Sequence, residues 1–153
     1  MSYPACEVKV GPGVLGLAPM RGRGGDLLSD LRQLLSWRPA LVVSLTEPHE
    51  MPEARQALGE LCEGAGVPWV ALPIEDYGLP KGEGAILAEV DRHLRRGARV
   101  FVHCMGGCGR SGTVALRLMV MAGQGPEQAF ADLRALRPCA VETEAQRLWA
   151  ISL

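Results

Sequence analysis

Ten consecutive residues, His103-Cys104-Met105-Gly106-Gly107-Cys108-Gly109-Arg110-Ser111-Gly112, gather an imidazole, a thiol, a guanidinium and a hydroxyl among glycines. Gly106, Gly107 and Gly109 let the backbone turn tightly and point successive N–H groups inward. A ring of amides at a helix N-terminus attracts an oxyanion, and the helix dipole adds to that attraction. The cradle expected for a phosphate therefore runs over Met105, Gly106, Gly107, Cys108, Gly109 and Arg110, and the planar fork of Arg110 can hold two oxygens at once. The same positive field favours the ionised form of a cysteine. Cys104 is thus expected to be a thiolate nucleophile beneath the bound phosphorus. Ser111 is expected to donate its hydroxyl to that sulfur when it departs in a later step. His103 is expected to hydrogen-bond backbone around the loop and steady the thiolate. A Walker-type ATP loop would need Lys where Arg110 stands, and Cys6, Cys62 and Cys139 supply no paired zinc ligands.

Cys104 and Arg110 have C-x5-R spacing, with His103 before and Ser111 after. This H-C-x5-R-[ST] pattern resembles the active-site loop of the protein tyrosine phosphatases. From about Gly16 to Gln146 the chain is similar to their compact dual-specificity and kinase-associated group. The resemblance implies hydrolysis of phosphotyrosine, and of phosphoserine and phosphothreonine in a shallower cleft, through a cysteinyl-phosphate intermediate. It implies a phosphorylated protein or peptide as partner, and no metal or other cofactor. Lipid phosphatases of the superfamily carry basic residues inside the loop, and none stands between Cys104 and Arg110, which disfavours a polyphosphoinositide. Two other readings stay open: a phosphoprotein-binding module on an inactive copy of the fold, and a phosphatase for RNA 5'-triphosphates or small phosphometabolites.

Transfer of phosphate to a thiolate leaves an alkoxide or phenolate that must be protonated, and a placed carboxylic acid contributes about 10²–10⁴ in rate. Pro73-Ile74-Glu75-Asp76-Tyr77-Gly78-Leu79-Pro80 follows a predicted strand. It is similar to the group's P-I-x-D-x-G-x-P acid loop, which implies Asp76 as general acid. Glu75 is the neighbouring competitor, and an Asp in such a loop also serves as a turn former. Further on, Ala140-Val141-Glu142-Thr143-Glu144-Ala145-Gln146 is similar to the group's A-I-x-T-x-x-Q stretch, which implies that Gln146 and Thr143 help place water. A turn role for Thr143 and a solvated helix face for Gln146 are the alternatives. Cys108 is either a small apolar filler or a redox partner that captures an oxidised Cys104 as a disulfide.

These residues need a scaffold. Val14–Pro19, Leu41–Leu45, Trp69–Ile74 and Val100–Cys104 are short apolar runs bounded by Gly or Pro and predict buried strands, with a further edge strand near Glu7–Val10. Asp26–Ser36, Pro52–Ala65 and Gly84–Arg96 space apolar residues by three and four, as helices do. Ser111–Ala122, Pro126–Leu136 and Glu142–Ile151 complete a helical C-terminal half. Alternating strands and helices predict an α/β domain of three layers, with a mostly parallel sheet of four to five strands flanked by helices. In such sheets ligands bind beyond the carboxyl ends of the strands, where Cys104 and Asp76 fall.

With 153 residues, 48% hydrophobic, the chain fits one domain over residues 1–153. Its net charge of −1 gives no support for nucleic acid or an anionic membrane as partner, and a monomer is expected. Cysteines at 6, 62, 104, 108 and 139 show no disulfide framework, and no charged-then-apolar leader is visible. A reduced, cytoplasmic protein is the expectation. His49 and His93 are expected at the surface, and Trp37, Trp69 and Trp149 in packing.

Overall fold

A computed structural model describes residues 3–20, 22, 26–82 and 84–153. Among these residues five strands form one sheet: β1 (Cys6–Val10), β2 (Gly13–Ala18), β3 (Leu41–Ser44), β4 (Trp69–Ala71) and β5 (Arg99–His103), in the order β1-β2-β5-β3-β4. Of these strands β1 alone runs antiparallel, and it forms the edge beside β2. The helices among the described residues are α1 (Leu27–Trp37), α2 (Pro52–Ala65), α3 (Gly84–Arg95), α4 (Gly109–Met121), α5 (Pro126–Leu136) and α6 (Glu144–Ile151).

The period of two in the strands sorts the core into two sides. Val100 and Val102 of β5 and Leu41 and Val43 of β3 join the cluster formed with α3, α4, α5 and α6. Phe101 and Val42 face the other way, into Leu34 and Trp37 of α1 and Leu58 and Cys62 of α2. The sheet is buried between the two helical layers, which is the expected three-layer arrangement.

Element ends shift for local reasons. β4 stops at Ala71 because Pro73 has no N–H, although Leu72 and Ile74 still donate to the carbonyls of Ser44 and Leu45, at 2.9 and 3.0 Å. α4 begins two residues before the predicted start, which puts Arg110 and Ser111 in its first turn. α6 starts at Glu144, with Thr143 as N-cap accepting from the Gln146 N–H at 3.0 Å. His93 is half-buried, and its Nδ1 meets the Glu89 carbonyl one helical turn back, at 2.9 Å. Among the described residues no helix is long and apolar enough to cross a membrane.

Candidate active site

The parallel register aligns the strand ends that carry the site. Ala18 and Ser44 both pair with His103, and Ser44 pairs with Ala71, so four strands finish at one edge of the sheet. The segments that follow them meet there. Met20 N–H donates to the Met105 carbonyl at 2.9 Å, Glu50 lies between β3 and α2, and Asp76 follows β4. Cys104 follows β5. A cavity of about 240 Å³ at this edge is lined by Asp76, Tyr77, Cys104, Met105, Gly106, Cys108, Gly109, Arg110 and Glu142. Residues far apart in the chain thus reach one small space.

Among the residues of the expected cradle, Gly107 does not line this cavity. It is buried at φ +70, and a side chain there would collide with the Ala18–Pro19 backbone, at 2.7 Å from the Ala18 carbonyl carbon. Only glycine adopts that backbone shape in that space without strain. The carbonyls of a loop whose amides turn inward must find donors outside it. Arg137, at the C-cap of α5, supplies them: its Nε donates to the Gly107 carbonyl at 3.0 Å and its Nη2 to that of Gly106 at 3.1 Å.

Cys104 is buried, with 2% of its surface exposed. His103 does not use its Nε2 on loop backbone; that atom meets the Ser44 hydroxyl at 2.6 Å. The indole of Trp69 donates to the same oxygen at 2.8 Å, so Trp69 bonds as well as packs. Among the described residues the Ser111 hydroxyl, buried in the first turn of α4, has no hydrogen-bond partner; its expected bond to the sulfur belongs to a later step of the reaction.

Arg110 is 2% exposed and is anchored by a residue that carries no sequence motif, Glu50. Nη1 and Nη2 donate to the two Glu50 oxygens at 2.7 and 2.9 Å, and Nη1 donates again to the Ile74 carbonyl at 2.9 Å. These bonds occupy three of the five guanidinium N–H groups and leave the Nε–H and one Nη2–H for an anion. Burial opposes the Arg110 charge, but the Glu50 hydrogen bonds and the negative charges of Cys104, Glu50 and Asp76 outweigh it and raise its pKa. Bonding to Arg110 in turn holds the Glu50 carboxyl below the ordinary carboxylate range, against a smaller opposing effect of burial.

Asp76 stands at the cavity mouth, 64% exposed, with Oδ1 3.8 Å from Arg110 Nη2. Glu75, its competitor, is exposed and does not line the cavity. The acid loop is tied to the C-terminal half by Gln146. That side chain is fully buried rather than solvated: Nε2 donates to the Gly78 carbonyl at 3.1 Å, and Oε1 accepts from the Glu142 and Thr143 N–H groups at 2.9 and 3.1 Å. Neither Gln146 nor Thr143 lines the cavity, and both are committed to a capping box. The carboxylate that does reach the cavity from this segment, Glu142, was not singled out from the sequence. Burial and the charge of Asp76 raise its pKa, with Arg110 acting in the opposite direction.

The cysteine expectation is corrected. Cys108 bonds to Cys139 rather than standing as a filler or as a partner for Cys104, with a Cα–Cα distance of 5.1 Å. Cys6, Cys62 and Cys104 take part in no disulfide. A separation of 31 residues gave no hint of this pairing; the fold makes it by bringing the α5–α6 loop over the phosphate loop. Among the described residues no group of three or more His, Cys, Asp and Glu is placed to hold a metal ion.

A mostly parallel α/β sheet with a Cys-x5-Arg loop at its C-terminal edge, opening a helix and facing an Asp-bearing loop, defines a phosphatase domain of the protein tyrosine phosphatase kind. The chain belongs to the family described as "PTP-SAK: Swiss Army Knife protein, DSP-PTPase phosphatase domain", whose model matches residues 20–148. It is 42% identical over 84 residues to the uncharacterized protein MJECL20 of Methanocaldococcus jannaschii, covering 52% of this chain and 55% of that one. It is 28% identical over 122 residues to the phosphatidylglycerophosphate phosphatase PTPMT1 of Arabidopsis thaliana, covering 77% of this chain and 35% of that one. The chain spans about half the length of the first curated relatives it matches. Among solved structures, Tk-PTP in its active form superposes with a TM-score of 0.75 and 30% identity, covering 97% of each chain. The kinase associated phosphatase KAP, with its catalytic cysteine replaced by serine, gives 0.78 and 27%, covering 90% of this chain and 83% of that one.

Proposed function

We propose that this chain is a metal-independent protein phosphatase that hydrolyses phosphotyrosine, and phosphoserine and phosphothreonine with it, through a cysteinyl-phosphate on Cys104. The observation that carries the reading is the common cavity of Cys104, Arg110 and Asp76, with Arg110 fixed by Glu50. In the first step the Cys104 thiolate attacks phosphorus, the phosphate loop amides and the two remaining Arg110 donors hold the equatorial oxygens, and Asp76 gives a proton to the leaving oxygen. In the second step water displaces the thiolate and inorganic phosphate leaves. The Ser111 hydroxyl, buried without a partner, is available to the sulfur as negative charge returns to it.

The similarity to PTPMT1 raises a lipid phosphomonoester as a second substrate class. Against it, among the described residues the cavity is lined by the carboxylates of Asp76 and Glu142 and by one cation, Arg110, which suits one phosphate and repels a second anionic group close by. Turnover of p-nitrophenyl phosphate without added metal, abolished in Cys104→Ser, tests the mechanism. Absence of turnover, or turnover that survives the substitution, refutes it. Phosphopeptides set against phosphatidylglycerophosphate then test the substrate: faster hydrolysis of the lipid overturns the protein assignment.

A further inference from the structure

The cavity holds two carboxylates where the reaction as derived uses one. Glu142 lies so close to the phosphate loop that a side chain added at Gly109 would collide with its Oε1. Its placement is enforced. Val141, immediately before it, sits at φ 65, a left-handed conformation that a β-branched residue rarely adopts, and the N–H of Glu142 itself is held by Gln146 Oε1. Asp76 is set in a comparable way, since Tyr77 after it has φ 61. Backbone outliers of this kind cluster where a side chain must be aimed. Gln146, by contrast, does not line the cavity: its Oε1 accepts from the Glu142 and Thr143 N–H groups and its Nε2 donates to the Gly78 carbonyl.

We propose that Glu142 is the base of the second step, taking a proton from the water that attacks the cysteinyl-phosphate. This rests on the two-step reading above. The water oxygen bonds to phosphorus as the S–P bond breaks, the sulfur leaves as the Cys104 thiolate, and the water proton passes to a Glu142 oxygen. Asp76 supplies the leaving-group proton of the first step and is left ionised; before the next turnover Glu142 gives up its proton to solvent and Asp76 takes one back, so each carboxyl group serves one half of the cycle.

Several charged groups surround Glu142. Asp76 and Tyr77 face it from the acid loop, and Cys104 and Arg110 from the phosphate loop and α4. Arg134 of α5 and Thr143, Glu144 and Arg147 of its own segment border it on the outside. Both bordering arginines are engaged: Arg134 with the Ala140 and Val141 carbonyls, Arg147 with Glu144. Among the described residues the Glu142 carboxylate forms no hydrogen bond or ion pair, so it is free to meet water. Its raised pKa makes it a stronger base than an ordinary carboxylate and requires it to be ionised. Steady-state kcat therefore falls as pH drops through a value above the usual ~4.3 of glutamate.

Rapid-quench kinetics of Glu142→Gln and Asp76→Asn on an aryl phosphate test the assignment. Glu142→Gln should keep a fast burst of phenol, lower the steady-state rate by about 100-fold, accumulate phosphocysteine visible by intact mass, and lose the acidic limb of kcat. Asp76→Asn should slow the burst itself and accumulate nothing. An active Cys104-dependent enzyme in which Glu142→Gln accumulates no phosphocysteine and keeps its pH profile overturns the role of Glu142 alone. Turnover independent of Cys104 removes the two-step reading instead.

Discussion

Arg110 presents two directed donors to the cavity because Glu50 and Ile74 occupy the other three. A guanidinium loose on its stem would spend binding energy on ordering itself, whereas this one is already fixed before substrate arrives. Glu50→Gln replaces one accepting oxygen by an amide that opposes the Arg110 donors. Breaking a buried pair costs about 3–5 kcal/mol, and with 12% of Glu50 exposed the loss is expected at the lower end. Denaturant melts at two pH values check the origin of that loss. The Glu50 carboxyl is held below its unfolded value, so its stabilisation is complete above about pH 4.3 and disappears as pH falls through the folded value. The gap between wild type and variant should therefore be wide at pH 7 and close in acid. In the same variant kcat/KM on an aryl phosphate should fall by about tenfold or more, equivalent to at least ~1.4 kcal/mol of transition-state binding.

The working element is the turn from β5 into α4, and its shape depends on what is pressed against it. Gly107 meets the Ala18–Pro19 backbone on one side while Arg137 collects the outward carbonyls on the other. Gly107→Ala adds a side chain to a positive-φ position with no room, which should cost more than the ~1 kcal/mol of the backbone term alone. Loss of oxyanion binding, followed by titration with vanadate or tungstate, measures it; undiminished affinity would mean that the turn tolerates a different path. Much of this element was legible in the sequence. Glycine spacing, the strand before it and the helix after it are local signals, and Asp76 was legible because its loop is a contiguous string. Glu50, Arg137, Cys139 and Glu142 were not, because each acts across a tertiary contact: a carboxylate 60 residues from its arginine leaves no spacing to read. The expectation that Gln146 places water came from the resemblance of its stretch to the family's, and the structure shows what its side chain bonds. Its bonds to Gly78 and to its own helix start depend on where α6 docks, which no local pattern states.

At the scale of the whole molecule, the two helical layers bury the sheet but do not by themselves close the site. The Cys108–Cys139 bond fastens the phosphate loop to the α5–α6 connection, across 31 residues of chain. A closed loop of that length lowers the entropy of the unfolded chain by an amount worth about 3–4 kcal/mol. Cys139→Ser, or reduction of the native protein, should lower the melting temperature by roughly 10 °C. Calorimetry in the presence and absence of reductant reads this directly, and a shift of only a degree or two would mean that packing alone holds the connection in place. The connection lies within residues 20–148, the stretch that the family model matches.

Gln146 joins the acid loop to the start of α6, and its place in the chain sets an order of events during synthesis. The nucleophile, the arginine and the acid all leave the ribosome well before it does. Until Gln146 emerges, Gly78 lacks its tether and Glu142 lacks the bond that fixes its backbone. A nascent chain therefore carries Cys104 before it carries the residue that ties the acid loop to the start of α6.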